Sequence, residues 1–340
     1  MSGFEPRLPV AHLTVGEQEA GMRLDRWLKR RYPGLAMTAI AKLARTGQIR
    51  VDGARTPANA RLAAGQVVRV PPLPASAAAP APRERRAAER PLSPAEEAEA
   101  RSLLLHEDEW VIALAKPPGL PTQGGPGIRT HVDRLAAAFR RGPDDEIPRL
   151  VHRLDRETSG VLLLARGAAA AARLAASLRA REAEKIYWAV VAGVPRPPEG
   201  VIRAPLLRER AGHGARVRVD AAGKRAETRY ALVTHAGRRL AWLKLMPVTG
   251  RTHQLRAHLA HIGHPVLGDP AYGGRAGPAA AGGILQPGLH LHARRIRLPH
   301  PDGSGRILDV SAPLPAHMRA LWQELGWDAD DPAASAPIAS

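Results

Sequence analysis

The feature that most constrains this chain is a break in it. From Pro72 to Glu97 the sequence runs PLPASAAAPAPRERRAAERPLSPAEE, which offers no apolar period for a helix or strand to bury and is interrupted by proline. Such a stretch is expected to be a linker, extended where prolines cluster and otherwise flexible. One continuous core is therefore excluded. The 340 residues divide into a small module at 18–71, the linker at 72–97, a larger domain at 98–328 and a disordered tail at 329–340. Tethering of this kind raises the local concentration of the larger domain on whatever the small module binds.

The charge says what that ligand is. Fifty Lys+Arg against 32 Asp+Glu leave a formal net charge of +18, which points to a polyanion, either nucleic acid or an acidic membrane surface. Only six of the fifty are Lys, and the other 44 are Arg, whose planar fork suits phosphates and base edges. No apolar run reaches 18 residues, and MSGFEPRLPV lacks the basic-then-apolar order of a signal peptide. The membrane reading fails, and a cytoplasmic protein that binds nucleic acid is expected. No apolar stripe calls for a second copy, so a monomer is expected too. The chain has no Cys, which excludes disulfides, thiolate zinc sites, iron–sulfur clusters and cysteine nucleophiles.

In the small module, Leu24, Trp27, Leu28 and Tyr32 recur at helical spacing until Pro33-Gly34 stops the helix. A second helix is expected with Thr38 as N-cap, Ile40 and Leu43 inward and Gly47 at its end. Two short strands, QIRVDG and QVVRVP, follow, with Asp52-Gly53 marking a turn. Taken singly, Arg23, Arg26, Lys29, Arg30, Arg31, Lys42, Arg45 and Arg50 are a solvated basic face. Helix, helix, then hairpin, headed by GMRLDRWL and closed by RTGQIRVDG and LAAGQVVRV, resembles the alpha-L RNA-binding module named after ribosomal protein S-four. The resemblance implies that the basic helix pair lies on a folded RNA backbone.

The larger domain reads as α+β. Trp110–Ala115, Gly160–Ala165, Lys185–Val191 and Arg239–Met246 are expected strands, and Ala168–Arg181 and Arg251–Ile262 expected helices. Val217–Val219, the DAAG turn and Thr228–Tyr230 look like a hairpin, and Arg306–Val310 with a helix from Pro315 to Leu325 closes the domain. Hairpins with helices interspersed, without βαβ alternation, imply a central, largely antiparallel mixed sheet flanked by helices.

Three constellations could do chemistry. In HRLDRETSG, residues 152–160, a carboxylate at Asp155 sits between arginines in a turn that leads into a buried strand; the cations favour its charged form, ready as nucleophile or base. In PVTGRTHQLR, residues 247–256, Thr249 or Thr252 can cap a helix and Arg251 would stand at its positive end, placed to hold an anion. His253, His258, His261 and His264 invite a metal reading, but offsets of 5, 3 and 3 spread the rings around the helix axis, and no metal is expected. In EKIYWA, Tyr187 and Trp188 point to opposite faces of a strand, so one packs inside while the other faces a cleft and can stack on a base. Neither GxxxxGK[ST], a helix-opening GxGxxG, nor GxSxG is present, so a nucleotide cofactor and a serine-hydrolase elbow are unsupported. Charge and basic module alone also suit a non-catalytic RNA-binding or ribosome-assembly factor, and the histidines a metal-dependent nuclease.

HRLDRETSGVLLLAR, KPPG at 116–119, EKIYWAVVAG and VTGRTHQLRAHLAHIGHPVLGD, in this order between Leu103 and Pro313, are similar to the motifs of the RluA-type pseudouridine synthases. ARVRVDAAGKRAETRY and the preceding module look most like the RluC branch, which modifies uridines in large-subunit ribosomal RNA. The resemblance implies that Asp155 is the catalytic aspartate, that Arg153 extrudes the target base and takes its place, that Tyr187 stacks on the flipped uracil and aids the proton step, and that Arg251 pairs with Asp155. His152, Thr158, His253, Gln254 and Lys116 are the further expected substrate contacts. Where RluC-type members often carry His, this chain has Gln123, which touches substrate choice and not chemistry. Isomerising uridine needs no redox step, so no cofactor is expected.

Overall fold

The computed structural model describes residues 6–78, 91–125, 127–142, 145–180, 182–209, 216–273, 287–335 and 338. Two compact units emerge, 1–91 and 92–340. Residues 79–90, the middle of the expected linker, lie outside the described residues.

In the first unit, β1 (Ala11–Thr14), α1 (Leu24–Arg31), α2 (Met37–Arg45), β2 (Arg50–Val51), β3 (Ala54–Arg55) and β4 (Val67–Val70) form two helices against a sheet of order β1-β4-β2-β3. Leu24, Trp27, Leu28 and Ile40 are buried there, as the helical spacing requires. Thr38 is not the cap of α2; that helix begins at Met37 behind Ala36, which offers no side-chain cap. Asp52 and Gly53 both take positive φ, at 49° and 76°, the geometry of a two-residue hairpin turn. The strand at Ala11–Thr14, upstream of the expected start of the module, completes its sheet.

The second unit begins with α3 (Pro94–Ser102), whose Ser93 and Glu96 form a reciprocal capping box. Ordered helix therefore starts inside the segment expected to be linker. Then come β5 (Leu104–Glu107), β6 (Val111–Lys116), α4 (Val132–Leu135), β7 (Arg149–Leu150), β8 (Ser159–Ala165), α5 (Gly167–Ala180), β9 (Glu184–Ala192), β10 (Glu199–Arg203), β11 (Leu206–Arg208), β12 (Val217–Val219), β13 (Glu227–Ala236), β14 (Leu240–Pro247), α6 (Gln254–His261), β15 (Leu291–Pro299), β16 (Ile307–Ser311), α7 (Ala316–Leu325) and α8 (Pro332–Ser335). Among the described residues they build a ten-stranded sheet of order β10-β13-β14-β9-β15-β8-β6-β5, with β16 beside β15 and β7 beside β8. Only β8 and β15 pair in parallel within it. The fold is thus α+β around a largely antiparallel mixed sheet. Val217–Val219 does not pair with Thr228–Tyr230; it pairs with Leu206–Arg208, and Glu227–Ala236 joins the main sheet.

Two packing details fix how β8 and β9 present their side chains. Gly160, at φ +115°, sits so close to β15 that an added Cβ would lie 2.2 Å from the Ala293 carbonyl oxygen, and Ser159 Oγ meets His292 Nδ1 at 2.9 Å. The Ser-Gly pair is therefore what lets β8 lie against β15. On β9, the register slips between Ile186 and Tyr187; Trp188 packs with Trp242 and Trp322 under α7, while Tyr187 faces away from that cluster. The tail is not disordered throughout: Pro332–Ser335 is helical, Ala334 and Ile338 are buried, and Lys244 Nζ donates to the Ala333 carbonyl at 2.8 Å.

Candidate active site

A cavity of about 580 Å³ opens between the turn that precedes β8, the start of β9, the end of α5 and the loop into α6. Its size is that of a small-ligand site. His152, Arg153, Asp155, Thr158, Tyr187, Arg251, His253 and Gln254 all line it. Eight of the nine expected site residues of this unit thus converge from three separate stretches of chain. Lys116 does not reach the cavity.

Asp155 stands in a turn held from outside. Thr122 Oγ1 donates to the Leu154 carbonyl at 2.8 Å, Gly119 N–H donates to the Arg156 carbonyl at 3.0 Å, and Arg156 Nε returns to the Gly119 carbonyl at 3.1 Å. Lys116 belongs to this scaffold. Its buried ammonium donates to the carbonyls of Pro117, Leu120 and Arg156 at 2.8–2.9 Å. Burial pulls its pKa down to about 7 against the fields of Glu157 and Asp155. Three convergent acceptors match the three hydrogens of the charged form. The expected substrate contact is therefore a brace for the loop, because a lysine with its three donors spent has none for a ligand.

The cation at Asp155 is not the expected one. Arg256 Nη1 lies 3.7 Å from Asp155 Oδ2 and His253 Nε2 lies 3.8 Å from the same oxygen. Arg251 is exposed, and its Nε donates to the Arg225 carbonyl at 3.1 Å. The expected Arg251–Asp155 pair is replaced by Arg256–Asp155. The reason is where the helix begins: α6 starts at Gln254, so Arg251 belongs to the approach loop, whereas Arg256 is on the helix face turned inward. Arg256 is itself fixed by a two-pronged pair with buried Asp269, at 2.7 Å for both Nε and Nη2, leaving Nη1 free for Asp155. Burial works against both charges. The hydrogen bonds between them outweigh it, lowering the Asp269 pKa and raising that of Arg256.

The loop into α6 is set by Gln254. Its Nε2 donates to the Glu227 carbonyl and Thr228 Oγ1, and its Oε1 accepts from Thr249 Oγ1 and the Arg251 N–H. All four of its hydrogen-bonding positions are used, so its contribution is to shape the wall. Neither Thr249 nor Thr252 caps α6; the residue at the cap is His253, in left-handed conformation at φ 52°. Val217 N–H donates to the Tyr272 hydroxyl at 2.9 Å, and that hydroxyl meets His253 Nδ1 at 3.1 Å. A hydroxyl donating to Nδ1 leaves the ring proton on Nε2, facing Asp155. Burial lowers the His253 pKa, with Asp155 opposing. His152 Nε2 accepts from the Leu163 N–H at 3.0 Å, and burial, then the charge of Lys185, lowers its pKa to about 4, so it is neutral and ties the turn to β8. Thr158 N–H closes the turn onto the Asp155 carbonyl at 3.2 Å. Burial, then the Asp155 charge, pushes the Tyr187 phenol up, so it stays protonated. Arg153 is exposed at the rim and has no side-chain partner among the described residues.

Of the remaining histidines of this stretch, two have structural partners and His261 is exposed. His258 is bound to Thr228 Oγ1 and the Ala204 carbonyl, His264 to the Ala192 carbonyl. Among the described residues no group of three or more His, Asp or Glu is placed to hold a metal ion, and no helix is long and apolar enough to cross a membrane. Arg256, Asp269, Tyr272 and Thr122 hold the surroundings of Asp155 without standing out in the sequence, although Arg256 and Asp269 fall inside the GRTHQLR…LGD string.

The sequence profile described as RNA pseudouridylate synthase matches residues 110–261. "Ribosomal large subunit pseudouridine synthase C" of Pasteurella multocida is 36% identical over 313 residues, covering 92% of this chain and 93% of that protein. The protein of the same name from Yersinia pestis is 36% identical over 316 residues, covering 92% and 94%. Among solved structures, human RNA Pseudouridylate Synthase Domain Containing 4 superposes with a TM-score of 0.56 at 27% identity, over 68% of this chain and 97% of that one. With relatives 36% identical over nine-tenths of its length, and a profile and a fold that match over shorter stretches, this chain belongs to the RNA pseudouridylate synthase family.

Proposed function

We propose that this enzyme converts uridines of large-subunit (23S) ribosomal RNA to pseudouridine, with Asp155 as the catalytic carboxylate acting on a base flipped out of its helix. The observation that supports it best is the arrangement around Asp155: one carboxylate in a cavity of nucleotide size, met by Arg256 and His253 and held from behind by the Lys116 and Thr122 loop.

The reaction breaks the N1–C1′ glycosidic bond, turns the uracil and joins C5 to C1′, while the proton from C5 ends on N1. Atoms and electrons balance with no external reagent. Exposing the base costs a few kcal/mol, less in a loop than in a duplex. Arg153, free at the rim, enters the space that the base vacates. Tyr187 lies in the cavity as a neutral phenol, and one base–aromatic contact supplies roughly 1–3 kcal/mol towards that cost. Its hydroxyl, already protonated, can aid the proton step only as a relay, giving up its own proton as it takes the one from C5. Arg256 keeps the Asp155 carboxylate turned to the substrate. The first unit supplies the docking: Arg26, Arg30, Lys42, Arg45 and Arg50 are exposed on its helices and hairpin, and Lys29 joins them although its ammonium also reaches the Leu35 carbonyl. Arg23 is exposed beside Asp25, which takes part of its charge. The enzyme acts as a monomer in the cytoplasm, where its RNA is made.

Pseudouridine mapping of large-subunit ribosomal and transfer RNA from cells lacking the protein tests this. Specific 23S positions should read as uridine and recover with the wild-type gene but not with Asp155→Asn. An unchanged 23S map would refute the substrate.

A further inference from the structure

Two cations of the cavity wall have no task in the isomerisation. Lys185 is the second residue of β9, two before Tyr187, and Arg179 lies near the end of α5; both line the cavity, as Tyr187 does. Neither has a hydrogen bond or ion pair with any described residue, in contrast to Arg256 with its two carboxylates. Lys185 is half-buried, and burial is the sole cause that lowers its pKa, with no carboxylate in opposition. Lys116, by comparison, feels both Asp155 and Glu157. Lys185 thus sits beside His152, on which its charge acts, and apart from the Asp155 carboxylate.

A half-buried ammonium with no counter-ion is unfavourable in the free protein and favours any ligand that brings an anion. In RNA at neutral pH that anion is the phosphodiester. We propose that Lys185 and Arg179 form a phosphate subsite, which takes one backbone phosphodiester adjacent to the target uridine and sets which nucleotide enters the cavity. This rests on the reading of the cavity as the uridine site. The pair would act as a point charge at the wall and a fork at the rim, fixing register without reading sequence.

The test uses a short large-subunit ribosomal RNA stem-loop carrying a mapped target uridine, made with all phosphates or with one uncharged methylphosphonate 5′ or 3′ to that uridine. Wild-type turnover of the all-phosphate RNA is the reference; its absence would refute the uridine-site reading itself. Lys185→Gln and Arg179→Gln should each raise KM about tenfold, with kcat within about threefold, the size of one lost charged contact. One methylphosphonate should raise wild-type KM comparably and add nothing further in Lys185→Gln, because both remove the same contact. Lys185→Arg should recover most of the lost KM. Thermal melting reports folding, and Arg179→Gln, at an exposed helix position, gives an independent reading should Lys185→Gln unfold. Multiplying effects at both linkages would overturn the subsite. So would a loss confined to kcat in Lys185→Gln, which would assign the ammonium to charge on the departing base instead.

Discussion

The two units use the same side chains in opposite ways. On the first, Arg26, Arg30, Lys42 and Arg45 stand in solvent, where a charge acts through space and is screened by salt. In the second, Arg256 is buried, locked on Asp269 at two points and aimed at Asp155 with its remaining nitrogen. An exposed arginine can be exchanged for a neighbour at small cost, whereas a buried one is defined by its partners. Net charge therefore announces a polyanion but says nothing of which arginine takes part in the reaction.

The contrast can be broken most forcefully at Arg256. Arg256→Ala leaves Asp269 buried without its cation, which should cost about 3–5 kcal/mol of stability and lower turnover by about 10³-fold; urea unfolding and rate assays report the two. Acid should separate the units next. Burial holds His152, His290 and His292 each at about 4, below the ordinary 6.5. Below pH 6.5 the unfolded chain takes up protons that the folded unit refuses until about 4. Stability should therefore fall between these values, by several kcal/mol at about 1.4 kcal/mol per pH unit for each group. The first unit buries no histidine among its described residues, so hydrogen exchange at pH 7 and pH 5 should show loss of protection in the second unit only. Equal loss in both would contradict the assignment.

Deleting 1–74 should weaken ribosomal RNA binding and flatten its salt dependence by roughly 0.9 in log–log slope per phosphate contact removed, while turnover of a short fragment survives. An unchanged slope would show that the first unit does not touch the backbone. The smallest effect is expected for Arg251→Ala, less than about tenfold and in KM, since its guanidinium holds only the Arg225 carbonyl. A loss as large as that of Arg256→Ala would reverse the order of the two arginines.

The sequence places Asp155 in a turn rich in cations before an apolar strand, and strand alternation separates Tyr187 from Trp188 without saying which faces the core; the Trp188–Trp242–Trp322 cluster decides that. Arg256 is one of two arginines within six positions, and what distinguishes it from Arg251 is Asp269, 13 residues later. Lys116 misled for a similar reason. The resemblance makes it a substrate contact, and no local pattern reveals that carbonyls from two loops converge on it. Val217–Val219 pairs with Leu206–Arg208, which precedes it, whereas the strand of similar pattern that follows it joins the main sheet; no local signal chooses between the two. Alternation and turn residues report local geometry; pairing across the sheet and buried charge networks depend on residues distant in sequence.

The central claim is that one carboxylate performs the isomerisation, and single-turnover conversion of 23S ribosomal RNA by Asp155→Asn tests it most directly. RNA binding and thermal stability should stay close to wild type while no pseudouridine forms. Pseudouridine formation by Asp155→Asn at the wild-type rate would contradict it.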